Sequence, residues 1–166
     1  KSTLIRLLAT LLTPSSGTLT VCGHDTTRER NLVRPNLGYL PQSFDIMEFS
    51  TVLRNAEFAA WAHGLTPSEC PSAARQALEK VGLWSRRNSR ARSLSGGMRQ
   101  RLGIACTIVH KPRVVLLDEP SVGLDPMQRI RLRELVEQIA VDSTIILSTH
   151  LIEDLSAMTS QILVLD

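Results

Sequence analysis

Two stretches of the chain are apolar at every position over the length of a strand, and they restrict the fold more than any other feature. Val114-Val115-Leu116-Leu117 runs directly into Asp118-Glu119, and Ile145-Ile146-Leu147 runs directly into Ser148-Thr149-His150. A strand with one wet face alternates apolar and polar residues. One that is apolar on both faces must be covered on both, as in a parallel sheet between helices. An α/β fold is expected. Open parallel sheets bind ligands beyond the carboxyl ends of their strands, so Asp118 and Glu119 are expected at the rim of a site.

The rest of the composition agrees with an ordinary globular domain. At 166 residues, 43% hydrophobic and 21% charged, the chain can build one real core, and a domain of this size buries about 70% of its unfolded surface. A net charge of +3 is too slight to drive nucleic-acid binding by itself. No stretch approaches the roughly 20 unbroken apolar residues of a membrane span. Cys22, Cys70 and Cys106 form neither an even disulfide set nor a Cys-x-x-Cys pair, so free thiols are expected.

Along the chain, Leu4, Leu7, Leu8, Leu11 and Leu12 have the spacing of one buried helical stripe, closed by Thr13-Pro14 and Gly17. Short β-prone runs follow at 18–21 and 37–40, bounded by glycines and Pro41. From about Thr51 to Gly82 the pattern is helical, with Gly64 and Gly82 as stops and Pro71 as the expected start of the second helix. Arg86, Arg87, Arg90 and Arg92 lie in a connector without the aromatic residues that stack on bases. Beyond it the sequence alternates: helix to about His110, strand 113–117, helix from about Pro126 to Ala140, strand 144–148, a short helix and a strand at 162–165. His24, His63 and His110 lack metal-ligand spacing and are expected on the surface, while Trp61 and Trp84 are expected to pack within the helical region.

Three segments carry chemistry. Lys1-Ser2-Thr3 at the head of a helix matches the tail of GxxxxGK[ST], the loop that cradles phosphates, although in isolation a simple N-cap explains it better. Ser95-Gly96-Gly97 opening a helix gathers free backbone N–H groups where no Cβ obstructs an anion, although a capped helix with a glycine hinge has the same residues. Asp118 and Glu119 offer one acid to hold Mg²⁺ and a second to polarise water, or simply decorate a helix start.

Taken in order, the segments resemble the nucleotide-binding domain of ATP-binding cassette (ABC) proteins. The phosphate loop ends in Lys1-Ser2-Thr3, the Q-loop is Gln42 within Tyr39-Leu40-Pro41-Gln42, and the signature is Leu94-Ser95-Gly96-Gly97-Met98. Walker B is Val114 to Asp118 with Glu119 next, the D-loop is Ser121-Val122-Gly123-Leu124-Asp125, and the H-loop is Ser148-Thr149-His150. Met98 stands where the commonest signature has Gln.

The resemblance implies a P-loop NTPase (RecA-like) core over about 1–50 and 100–166, with an inserted α-helical subdomain at about 51–99, truncated at both ends. It implies ATP and Mg²⁺ as cofactors. Lys1 would contact the β/γ-phosphates, Ser2 would ligate Mg²⁺, Thr3 would approach the α-phosphate and Gln42 would sense metal and water. Asp118 would hold Mg²⁺ through water, Glu119 would act as general base and His150 would bind the γ-phosphate. Leu94, Ser95, Gly96, Gly97 and Asp125 would complete the nucleotide site of a second copy, in a head-to-tail dimer.

The function so implied is an ATP-hydrolysing subunit that powers transport, export favoured, through separate transmembrane subunits or domains. It would sit in the cytoplasm on the inner face of the membrane, without direct contact to nucleic acid. The rival reading is a non-transport ABC ATPase acting on the ribosome or DNA. The 53 positions from Gln42 to Ser95 leave no room for the long coiled-coil arms of DNA-repair relatives. With the glycine-rich turn placed ahead of Lys1, residues 1–166 alone are expected to bind ATP poorly.

Overall fold

The computed structural model describes residues 1–150 and Gln161. The expected short helix and the strand at 162–165 lie outside the described residues. Three strands, β3 (Leu37–Leu40), β4 (Val114–Asp118) and β5 (Thr144–Ser148), form a parallel sheet in the order β3-β4-β5. Leu40 is registered with Leu117, and Asp118 with Ser148, so the segments leaving all three strands emerge on one edge.

β4 is covered on both faces, as its unbroken apolar run requires. Leu116 enters one cluster with Ile5, Ala9, Val21, Val33 and Leu37, in which Ile5 comes from helix α1 (Ser2–Leu8) and Val33 from α2 (Arg30–Val33). Val115 and Leu117 enter the other cluster, which is supplied largely by four further helices: α3 (Val52–Ala62), α4 (Cys70–Lys80), α5 (Gly96–Ile108) and α6 (Pro126–Ala140). This split between neighbours is the two-residue period of a strand. β3 lies so close to α5 that a Cβ on Gly38 would stand 2.5 Å from the Thr107 carbonyl oxygen. Only glycine fits there.

Two sequence expectations are corrected at the start of the chain. The leucine stripe is not what the first helix buries: Ile5 and Ala9 are buried, while Leu11 and Leu12 are 58% and 41% exposed. The helix stops at Leu8, and Thr10 takes φ 63, which turns the later leucines off its face. The strand expected at 18–21 is only β1 (Thr20–Val21), paired antiparallel with β2 (His24–Asp25) in a separate hairpin. Cys22 at φ 53 and Gly23 at φ 85 put both turn residues in the left-handed region, which is the geometry of a two-residue hairpin turn.

The helical segment is closed at its base. Its entry and exit pair through Val52 N–H to Ser89 O at 3.0 Å and Ala91 N–H to Ser50 O at 2.9 Å. Thr51 caps α3 by accepting from the Arg54 N–H at 3.1 Å. Ahead of α4, Glu69 accepts from the Thr66 N–H at 2.9 Å, and Pro71 sits in the helix's first turn, where its missing N–H costs nothing. Trp84 packs as expected, with Arg75 and Arg87 guanidinium groups 5.2 and 4.7 Å from its ring. Trp61 does not: it is 58% exposed beside Phe58.

His110 is also corrected, being half-buried, whereas His63 is exposed as expected. Their rings stack at 3.7 Å between centroids, and His110 Nε2 lies 3.2 Å from the Leu37 carbonyl oxygen, so the pair ties the end of α3 to the start of β3. Burial, with His63 alongside, pulls His110 down to about 4, although the Leu37 carbonyl works the other way; burial also lowers His63. The folded state therefore prefers the neutral rings. Above pH 6.5 the unfolded ring is neutral too and nothing is lost. Below it the unfolded state binds a proton that folded His110 refuses until about pH 4. Stability is expected to fall over that window, and urea unfolding of His110→Gln should show a shallower fall than wild type. Parallel curves would remove His110 from the account.

Candidate functional site

The carboxyl edge of the sheet gathers a connected set of polar groups. Asp118, the last residue of β4, is 2% exposed, and its Oδ1 accepts from the Ser2 hydroxyl at 3.0 Å and the Ser148 hydroxyl at 2.6 Å. Lys1 donates from Nζ to the Thr149 carbonyl at 2.9 Å, which holds the head of α1 against the end of β5. Glu119 follows with φ 51, its N–H directed at Ser148 O and Oγ at 3.1 and 3.0 Å. Glu119 Oε2 and His150 Nδ1 are 2.7 Å apart. Residues from three distant parts of the sequence thus meet because β4 and β5 are parallel and in register.

A second group lies at the N-terminus of α5. Ser95 is the cap, its Oγ accepting from the Met98 N–H at 3.4 Å, and Leu94 is buried beneath it. Ser95 and Gly96 are exposed, so their backbone faces solvent where an anion could approach. Gly97 is buried instead: a Cβ there would lie 2.6 Å from the Gln128 side chain of α6. Asp125 caps α6 by accepting from the Gln128 N–H at 2.8 Å. Gln128 therefore joins the two helix starts.

Lys1, Ser2, Asp118, Glu119 and His150 are brought together at the carboxyl edge of the sheet. Thr3 is exposed on α1, and Gln42 is exposed two residues beyond β3 on the same sheet edge, without a hydrogen bond to the acids among the described residues. Leu94, Ser95, Gly96, Gly97 and Asp125 form their own cluster, and no described hydrogen bond or ion pair joins it to Asp118 or Glu119. Ser148 was named from sequence only as part of the H-loop, with no role of its own, and Gln128 was not named at all. A serine two residues before His150 and a glutamine on an amphipathic helix carry no signal until the strand register and the helix packing are known.

The donor set at Asp118 suits a hard divalent cation. A hydroxyl and a carboxylate oxygen 3.0 Å apart are oxygen ligands of the kind Mg²⁺ takes, with the remaining positions left to water and substrate phosphate. Among the described residues no cluster of three His, Cys, Asp or Glu side chains forms a self-sufficient metal site. The Lys1 ammonium close by is the charge a phosphate group would meet.

A protein-family model described as "ABC transporter" matches residues 1–122. The chain is 41% identical over 147 residues to the "Probable multidrug ABC transporter ATP-binding protein YbhF" of Escherichia coli (strain K12), which covers 89% of this chain and 25% of that protein. It is 32% identical over 167 residues to the "Linearmycin resistance ATP-binding protein LnrL" of Bacillus subtilis (strain 168), covering 100% of this chain and 54% of that protein. The chain thus spans between a quarter and about half the length of these curated relatives. The fold is that of the ATP-binding cassette MJ0796, solved as a dimer in a post-hydrolysis state bound to ADP and Pi, at TM-score 0.78 and 23% identity over 92% of this chain and 71% of that one.

Proposed function

Since the chain belongs to the ABC transporter family as an ATP-binding domain, we propose that it binds ATP and hydrolyses it to power transport, export in particular, through transmembrane partner subunits. The observation that carries the reading is the junction of Ser2 and Asp118 at 3.0 Å beside Glu119 and His150 at 2.7 Å. A phosphate-binding helix start, a metal-holding acid and a second acid next to a histidine are the parts phosphoryl transfer to water needs.

In this reading Lys1 holds the terminal phosphates as a point charge, and Thr3, at the same helix start, lies near the α-phosphate. Ser2 would offer Mg²⁺ an oxygen and Asp118 would hold it through water, with Gln42, in the segment after β3, sensing metal and water. When bound, Mg²⁺ neutralises developing charge on the transferred phosphoryl group. Glu119 takes the proton of the attacking water through a carboxylate oxygen. His150 stabilises the γ-phosphate, and the bond to Glu119 constrains how. A neutral ring with its proton on Nδ1 leaves Nε2 an acceptor, so donation to phosphate from Nε2 requires the imidazolium.

The separate cluster at Leu94 to Gly97, with Asp125, serves the nucleotide on a second cassette in a head-to-tail dimer. Residues 51–99 form the helical insert, and the core is the remainder. The domain works at the cytoplasmic face of the membrane. Export is supported by the drug-resistance names of the two relatives above.

The test is phosphate release by the full-length protein, with its membrane partners, on Mg²⁺ and ATP. Turnover on the order of 1 s⁻¹ or more is expected, with loss to background on chelating divalent cations. A protein that neither binds nor hydrolyses ATP would sink the proposal.

A further inference from the structure

Two features of the Walker B acids call for a structural cause. Asp118 is a carboxylate only 2% exposed at the sheet edge, and carboxylates are rarely buried without directed partners. Glu119 takes φ 51, a region non-glycine residues seldom occupy, and Pro120 behind it narrows its choices further. One side chain touches both. Ser148 is 8% exposed; its hydroxyl donates to Asp118 Oδ1 at 2.6 Å and accepts from the Glu119 N–H at 3.0 Å.

We propose that Ser148 is a positioning residue that orients both acids from this single hydroxyl, fixing the Asp118 carboxylate and the backbone angle at which Glu119 leaves the strand. A serine hydroxyl has one proton to give. Donating it to Asp118 turns a lone pair to the Glu119 N–H, so the two bonds define each other. The Asp118 oxygen that accepts from Ser148 is the one that accepts from Ser2, so the two hydroxyls hold the same carboxylate oxygen in place. The paired N–H contact, to Ser148 O at 3.1 Å and Oγ at 3.0 Å, holds the left-handed turn that directs Glu119 toward His150. Parallel register makes this possible, because Asp118 and Ser148 are cross-strand partners at the last rung of the sheet. Without the hydroxyl, the Asp118 carboxylate loses its 2.6 Å donor and the Glu119 N–H loses its 3.0 Å side-chain acceptor.

The catalytic consequence rests on the ATPase reading above, whereas the hydrogen-bond geometry does not, and the experiment separates the two. Ser148→Ala, Ser148→Cys and Ser148→Thr are compared in the full-length protein, first without nucleotide and then with Mg²⁺ and ATP. Without nucleotide, NMR hydrogen exchange at the Glu119 amide should rise about 10-fold or more in the Ala and Cys variants and stay near wild type in Thr, with the Val115 amide unchanged in all three. With substrate, kcat should drop by about 10- to 100-fold in Ala and Cys with KM within about 3-fold, as expected of misoriented groups, and Thr should recover most of it. If the Ala variant does not fold, the contrast of Cys with Thr is read by the same criteria. The proposal is overturned if Glu119 exchange or kcat in Ala and Cys stays within twofold of wild type, if Thr falls as far as Ala, or if Val115 exchange rises equally. A wild-type protein that hydrolyses no ATP would defeat the ATPase reading while leaving the exchange comparison to decide the geometry.

Discussion

Glu119→Gln in the full-length protein is expected to lower ATP turnover by about 10²-fold or more while ATP binding persists, because removing a general base costs two to four orders of magnitude. The amide has the carboxylate's shape and can still meet His150 Nδ1, 2.7 Å from Oε2 in the native chain, so the site should stay assembled. What it cannot do is accept a proton from water. Glu119 is half-buried, not sealed in the core, so the change leaves the packing of β4 alone. Nucleotide held without turnover should trap the two-cassette state. Gel filtration with ATP should then show a dimer for the variant and a shorter-lived one for wild type. Turnover near the wild-type rate, or only monomer with ATP, would remove Glu119 from the role of base.

Which parts of this arrangement could be read in advance follows from how locally each is encoded. β4 and α6 were legible because their signals are contiguous: four apolar residues ending in acids, and Asp125-Pro126 as cap and first residue of a helix running to Ala140. The start of α5 was legible for the same reason, since Ser95 can cap and Gly96-Gly97 cannot extend a strand well. The β1–β2 hairpin was missed because its turn depends on Cys22 accepting a left-handed angle, which thiol side chains do not advertise. The leucine stripe misled because helical spacing says nothing of where a helix stops. Lys1, Ser2, Asp118, Glu119 and His150 meet at the sheet edge while Leu94 to Gly97 and Asp125 form a separate cluster. Ser148, named only within the H-loop motif, showed no role of its own, since that role arises from the Asp118–Ser148 rung and not from its neighbours in sequence. The stacking of His63 on His110 is tertiary in the same way: the two residues are far apart in the chain and meet where α3 ends beside β3.

Ser95→Arg is expected to abolish hydrolysis, by about 10²-fold or more on the scale of losing a charge-stabilising group, while leaving the nucleotide affinity of the isolated monomer within about threefold. Ser95 is exposed at the open end of α5 and no described bond links it to Ser2, Asp118 or Glu119, so a long cation there blocks an approach from outside without touching the chain's own phosphate site. Gly97→Asp should have the same outcome by a second route, since its charge opposes a phosphate. That variant also carries a local cost: the new Cβ meets the Gln128 side chain at 2.6 Å, and the glutamine must swing aside and loosen α5 from α6. Ser95→Arg is therefore the cleaner probe, and thermal unfolding should show Gly97→Asp to be the less stable of the two. Mixing Ser95→Arg with Glu119→Gln subunits sharpens the test. In a head-to-tail pair of two such copies, one of the two nucleotide sites combines both defects, and the other pairs an intact Glu119 with an intact Ser95. Activity of the mixture well above that of either variant alone is the expected result. If instead monomer affinity for ATP collapses in Ser95→Arg, the α5 start serves its own chain's nucleotide and the two-cassette arrangement is wrong.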